Sequence, residues 1–199
     1  TLIGATEIQA DGGSFEGGLV GAGNDLTLNI ANTITIEDGS GVNNLTSIGD
    51  TVLTGTINTT GSQTYQANVT IEGDVELNAV DDISFSAEVS GNQNGSAGAP
   101  DLTINTQADT TFGGTVSNLA TLTTDAGGST IAKADITTTG NQTYNDEFVL
   151  NTSLTLTGGN ASFHAGIDGD GNDLTLNFTG NATLDGGATP ISGINNLTS

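Results

Sequence analysis

The chain has 199 residues, with one lysine and no arginine against 23 acids, for a formal net charge of −22. Nucleic acid is bound largely through Lys and Arg neutralising phosphates, and anionic membrane surfaces attract the same residues, so the charge excludes both partners. Cys, Met and Trp are absent, which excludes disulfides, and no apolar run approaches the roughly 18 to 20 residues that span a bilayer.

Few aromatics and high net charge are the composition of disorder, but here the apolar residues are regularly placed. In chain order, "LTLNI" (26–30), "TITIE" (33–37), "VTIEGDVEL" (69–77), "SLTLT" (153–157) and "DLTLNF" (173–178) carry apolar residues at every second position. That period predicts strands with one buried face. Between the strands stand "DGG" (11–13), "GAGND" (21–25), "DAGGST" (125–130) and "GDGND" (169–173). Gly and Asn tolerate positive φ and Asp bonds its own local backbone, so these segments predict turns. No segment carries the 3.6-residue apolar period of a helix.

The strands belong to a larger repeat. "NTTGSQTYQA" (58–67) returns as "TTTGNQTYND" (137–146), and "NDLTLN" (24–29) returns at 172–177, with "PDLTIN" (100–105) between. "NNLTS" occurs at 43–47 and 195–199, with "SNLAT" at 117–121. "GSFEGGLVGAGNDL" (13–26) aligns without a gap on "ASFHAGIDGDGNDL" (161–174), and "DISFSAEVSG" (82–91) is a looser middle copy. Motifs recurring in a fixed order mark a stacked array. They predict an all-β fold, a parallel β-helix or β-solenoid, running through residues 1–199 as one segment with repeat joins near 60 and 139. A repeat of about 75 residues then spans three or four coils of roughly 20 to 25 residues. Tandem β-sandwich domains are the alternative, but sandwiches usually need about 100 residues. Both ends fall within a repeat, so a longer parent chain is expected.

Candidate chemistry is sparse. His164 is the single imidazole, and its aligned positions hold Glu16 and Ser86, so an exposed strand residue is expected rather than a general base. Lys133 has no basic neighbour and no Gly-rich phosphate loop before it. In "DGDGND" (168–173), Asp168, Asp170 and Asn172 have the alternate spacing by which oxygens wrap Ca²⁺. An EF-hand loop, however, needs Gly where Asp173 stands and Glu where Thr179 stands, and the aligned copy keeps only Asn24 and Asp25. The expectation is therefore no cofactor, with Ca²⁺ at Asp168 and Asp170 as the one metal reading.

The aromatics read as interior. Tyr65 aligns with Tyr144; Phe15, Phe85 and Phe163 share one position, and Ile36, Phe112 and Leu184 another. In the echoed phrase, Gly140 and the adjoining Asn or Ser form a corner, Tyr144 points inward and the flanking threonines are outer ladder positions. N-x-[ST] triplets are frequent, among them those at Asn44, Asn58, Asn68, Asn141, Asn151, Asn177, Asn181 and Asn196. Each is a formal glycan acceptor, although strands rich in Asn and Thr generate such triplets by themselves. T-x-T phrases occur too irregularly for an ice-matching face.

The phrases "TTTGNQTYND", "GNDLTLN", "NNLTS" and "LTTDAGGST" together resemble the repeat regions of filamentous-haemagglutinin-like adhesins and their autotransporter relatives, very large bacterial surface proteins. The resemblance runs through essentially the whole chain. It implies a right-handed parallel β-helix, export to the cell surface, and a stalk or adhesive fibre. Unpaired strand edges at an uncapped end and screened carboxylates along the rod predict self-association into filaments or bundles, with host, neighbouring-cell or matrix surfaces as further expected partners, and the resemblance carries over no catalytic residue. The rival is a β-helix enzyme acting on polysaccharide, whose clefts need clustered carboxylates and often a basic group; a phage or surface-layer fibre is a third reading.

Overall fold

The computed structural model describes residues 1–92, 98–185 and 190–199. The described residues contain strands and turns and no α-helix. Every strand pairing is parallel and joins a strand to its counterpart one coil away, which makes a β-solenoid of about nine turns. At roughly 4.8 Å per coil such a rod is about 43 Å long.

Each coil has three sides. Face 1 is the column Thr6, Leu26, Leu45, Gln63, Ile83, Thr110, Thr130, Phe148 and Ile167. Face 2 follows in each coil and runs through Gly13, Ile34, Thr51, Val69, Val89, Val116 and Ile136. Face 3 completes the coil through Ile57, Leu77, Ile104, Thr124, Tyr144, Phe163 and Leu184. Pairing therefore extends over all three sides, and each side alternates a buried with a more exposed residue, as in Leu102–Asn105 and Leu154–Gly158.

The interior is narrow and is filled by stacking identical kinds of side chain. On face 1 the rings of Tyr65, Phe85 and Phe112 lie nearly parallel, with centroids 5.2 and 5.5 Å apart. On face 3, Tyr144 stacks on Phe163 at 5.0 Å, and Phe148 from face 1 meets both rings at 4.5 and 5.5 Å. The inward reading of the aromatics thus holds, with Phe15 and Leu184 only partly buried near the two ends of the column set. Outside, ladders link the coils: Asn105 donates to Asn78 (2.8 Å) and Asn78 to Asn58 (3.1 Å).

Successive face 1 partners lie 18 to 20 residues apart, except for 27 between Ile83 and Thr110. All but one of the coils thus lie at or just below the short end of the sequence-based expectation, because strands of three residues such as Gln63–Tyr65 and Gln142–Tyr144 are joined by corners only a few residues long. The repeat and the coil are also out of step. From Gln63 to Gln142 the chain passes eleven strand positions, three and two-thirds coils, so the echoed phrase moves from face 1 to face 3. "NDLTLN", "PDLTIN" and the second "NDLTLN" likewise place Leu26 on face 1, Leu102 on face 3 and Leu174 on face 2. One sequence unit therefore turns back by a third of a coil each time it recurs.

Candidate functional site

The residues singled out from sequence do not converge. His164 is exposed and its Nδ1 lies 3.2 Å from Asp185 one coil on. Its aligned residues Glu16 and Ser86 are exposed on other faces, and Lys133 is exposed at a corner between faces 1 and 2. Asp168 accepts a hydrogen bond from the backbone N–H of Asp170 (3.0 Å). Asn172 turns its amide inward and donates to Leu150 O (3.1 Å). Asn24, its copy, donates to Gly21 O (3.1 Å). This alternate spacing serves the turn, with Asp170 in the left-handed region at φ 45. Among the described residues, no three acids or His side chains are grouped as a metal site.

The Asp that follows each of these asparagines is a coil-to-coil clamp. Asp25 Oδ1 accepts from Asn43 Nδ2 (2.8 Å) and from Asn44 N and Nδ2 (3.1 and 3.0 Å). Asp173 Oδ1 accepts from Asn195 (2.7 Å) and Asn196 (2.8 Å) in the same way. These donors hold both carboxyls below the usual carboxylate range. "GNDL" and "NNLTS" recur together because one grips the other across a coil.

The echoed phrase builds the most elaborate corner. Gln142 is fully buried, and its amide donates to Ile136 O (3.3 Å) and Thr138 Oγ1 (3.3 Å) in its own coil and to Thr157 O (2.8 Å) in the next. Tyr144 closes the set by donating its hydroxyl to Gln142 Oε1 (3.0 Å). Gln63 repeats every contact: Ile57 O (3.2 Å), Thr59 Oγ1 (3.4 Å), Asn78 O (3.0 Å), and the Tyr65 hydroxyl at 2.9 Å. Thr59 and Thr138 donate to Gly61 O and Gly140 O, both at 3.0 Å. These two threonines are buried corner pieces, not outer ladder positions as the sequence reading had them. A Cβ on Gly140 would lie 2.8 Å from the backbone oxygen of Ala120, and one on Gly61 would lie 2.3 Å from Asn44 Oδ1 and displace that side chain from its bonds to Ser62, so both corners favour glycine.

A second polar plug lies just beyond Tyr144. Asp146 is 2% exposed, and its carboxylate meets Thr130 Oγ1 at 2.8 and 2.9 Å and Thr124 Oγ1 at 3.2 Å. The two hydroxyls are themselves 2.9 Å apart. Burial pushes the Asp146 carboxyl up to about 7, against the two threonine hydrogen bonds, and the charge of Asp125 adds to the rise. Asp125 Oδ1 and Thr110 Oγ1 are buried without a hydrogen-bond partner on the protein. Sequence reasoning passed over both Gln142 and Asp146. The signal for Gln142 was its parity: it stands two residues before an inward Tyr in both copies. Asp146 carried no such signal, because Ala67 holds its place in the earlier copy.

On the outside, Thr103, Thr123, Thr143, Ser162 and Thr183 form one file on face 3. The file is more regular than the sequence suggested, yet its neighbours Asn141, Asn160 and Asn181 are tied to each other rather than repeating threonine. Of the eight N-x-[ST] asparagines named above, Asn44 is half-buried and engaged by Ser62, while the other seven are exposed. A shallow acidic groove on face 3 is lined by Asp74, Glu76 and Asp101 beside Gly55 and Thr103. Its carboxylates are engaged in structure, Asp74 by Asp101 N (3.0 Å) and Glu76 by Asn105 (3.0 Å). Comparison with known protein families, curated proteins and solved structures gives no match.

Proposed function

We propose that the chain is a non-catalytic structural or adhesive repeat segment of an extracellular bacterial surface fibre. The observation that carries this reading is the eleven-strand unit, which presents each recurring side chain on a different face in turn. Such a unit distributes its chemistry around the rod instead of gathering it in one cleft, and its most elaborate contacts serve coil-to-coil cohesion. Parallel pairing on all three sides makes the rod stiff. The 23 acids against one lysine keep neighbouring rods apart at low salt, and screening or divalent cations permit lateral bundling.

Electron microscopy of the purified chain tests this. Separate rods are expected at low ionic strength, and laterally associated rods in high salt or Ca²⁺. Rods whose spacing ignores both would count against the fibre reading, and turnover of acidic or neutral polysaccharides would overturn its non-catalytic part.

A further inference from the structure

We propose that Asp146 is a proton-operated latch on the corner joining face 3 to face 1: protonated, it seals that corner, and ionised, it loosens the pairing of the coils on either side. The geometry fixes the count of protons. Asp146, Thr130 and Thr124 form a closed ring of three side-chain contacts: Asp146 to Thr130, whose Oγ1 lies 2.8 Å from Oδ1 and 2.9 Å from Oδ2, Thr130 to Thr124 (2.9 Å), and Thr124 to Asp146 Oδ1 (3.2 Å). With a protonated carboxyl the ring holds three protons and each contact has one: Asp146 donates to Thr130, Thr130 to Thr124, and Thr124 back to Asp146. With an ionised carboxylate only two protons remain, so one contact loses its hydrogen while a charge stands buried with no cation.

The surroundings reinforce this. Asp125, in the corner one coil before, adds negative charge, and its buried Oδ1 has no donor. Asp109 is held at the backbone N–H of Ser129, Glu147 follows Asp146 directly, and Tyr144 is a buried neutral phenol. From the next coil His164 donates its backbone N–H to Tyr144 O and pairs its ring with Asp185 on the outside. Lys133 stands at a different corner. The earlier copy shows the same corner without the latch: Ser47 and Thr51 bond at 2.7 Å, and Ala67 replaces the acid.

The sign follows from linkage. Asp146 keeps in the fold a proton that the unfolded chain releases in the ordinary carboxylate range, so local stability falls as pH rises toward about 7 and levels off above it. Hydrogen exchange of the full chain at pH 6 and pH 8.5, corrected for intrinsic exchange, reads this directly. Protection at residues 123–131 and 145–150 should fall roughly tenfold in the native chain, while residues 59–67 stay unchanged. Asp146→Asn, whose amide supplies the missing proton permanently, should abolish the loss, and Asp146→Ala, which copies the earlier corner, should abolish it too. His164→Gln should keep the native response. An equal loss in the native chain and in both Asp146 variants, no loss in the native chain, or a response that disappears with His164→Gln would overturn the latch.

Discussion

The corner at residues 59–67 and the corner at 138–146 match in glutamine, tyrosine, threonine and glycine contacts, yet one turns from face 3 to face 1 and the other from face 2 to face 3. The match shows that the corner is specified locally. A buried Gln needs a carbonyl and a hydroxyl behind it, a carbonyl one coil ahead, and a Tyr two residues on. Two different corners of the solenoid supply these, because parallel strands one coil apart present the same carbonyls at both. Where the copies differ, at Ala67 and Asp146, the backbone turns equally well around a methyl group beside a two-hydroxyl pair and around a carboxyl beside two threonines. The fold fixes the site and leaves open what fills it.

The largest break in this comparison should come from the aromatic rings. Tyr144 contacts both Phe148 and Phe163, whereas Tyr65 stacks on Phe85 in a single column. Truncating either ring to Ala opens a cavity in a fully buried position and should lower stability by about 3–5 kcal/mol. Tyr144→Ala should be the worse of the two, because two columns lose their neighbour. Thermal unfolding of both variants checks the order, and equal losses would show that the Phe148 contact adds nothing.

The next effect belongs to the glutamines. Gln142→Leu leaves the Tyr144 hydroxyl buried without its acceptor, and an orphaned buried group costs about 1–3 kcal/mol. Adding Tyr144→Phe removes the orphan, so the double variant should recover about 1 kcal/mol over Gln142→Leu alone. The same cycle at Gln63 and Tyr65 should return the same coupling within about 0.5 kcal/mol. Unequal couplings in chemical denaturation would mean that the face, and not the local phrase, decides the corner's strength.

These corners also mark what was legible in the sequence. Alternation gave the strands, the recurrence of "NDLTLN" gave the stacking, and the matched Tyr and Phe positions gave the interior. The phase was hidden, because the sequence repeat counts eleven strands while the coil counts three, and nothing in the spacing of motifs reports a corner. Buried polar residues were hidden for another reason. Gln142, Thr138 and Asp146 have the composition of an exposed loop, and their burial is offset by partners the fold gathers at the corner: Gly140 O for Thr138, Thr157 O from the next coil for Gln142, and Thr124 and Thr130 from the preceding coil for Asp146. The "DGDGND" turn shows the same limit from the other side, since oxygen spacing along a chain does not report that Asn172 donates its amide to Leu150 O.

The smallest expected effect is the one that separates inside from outside within a single strand. Thr143 sits between Gln142 and Tyr144, half-exposed, paired with Thr123 on one side and Ser162 on the other. Its neighbours are fully buried and its own side chain faces out, so Thr143→Ala removes a rung of the outer file and leaves the corner's hydrogen bonds in place. A change of about 0.5 kcal/mol or less should follow, matched by Thr64→Ala in the first copy, which lies between Thr46 and Ser84. A loss at Thr143 approaching that of Gln142→Leu would mean that the outer file stiffens the coil as much as the buried amide does. The identity of the two corners would then rest on the threonine ladder rather than on what lies beneath it.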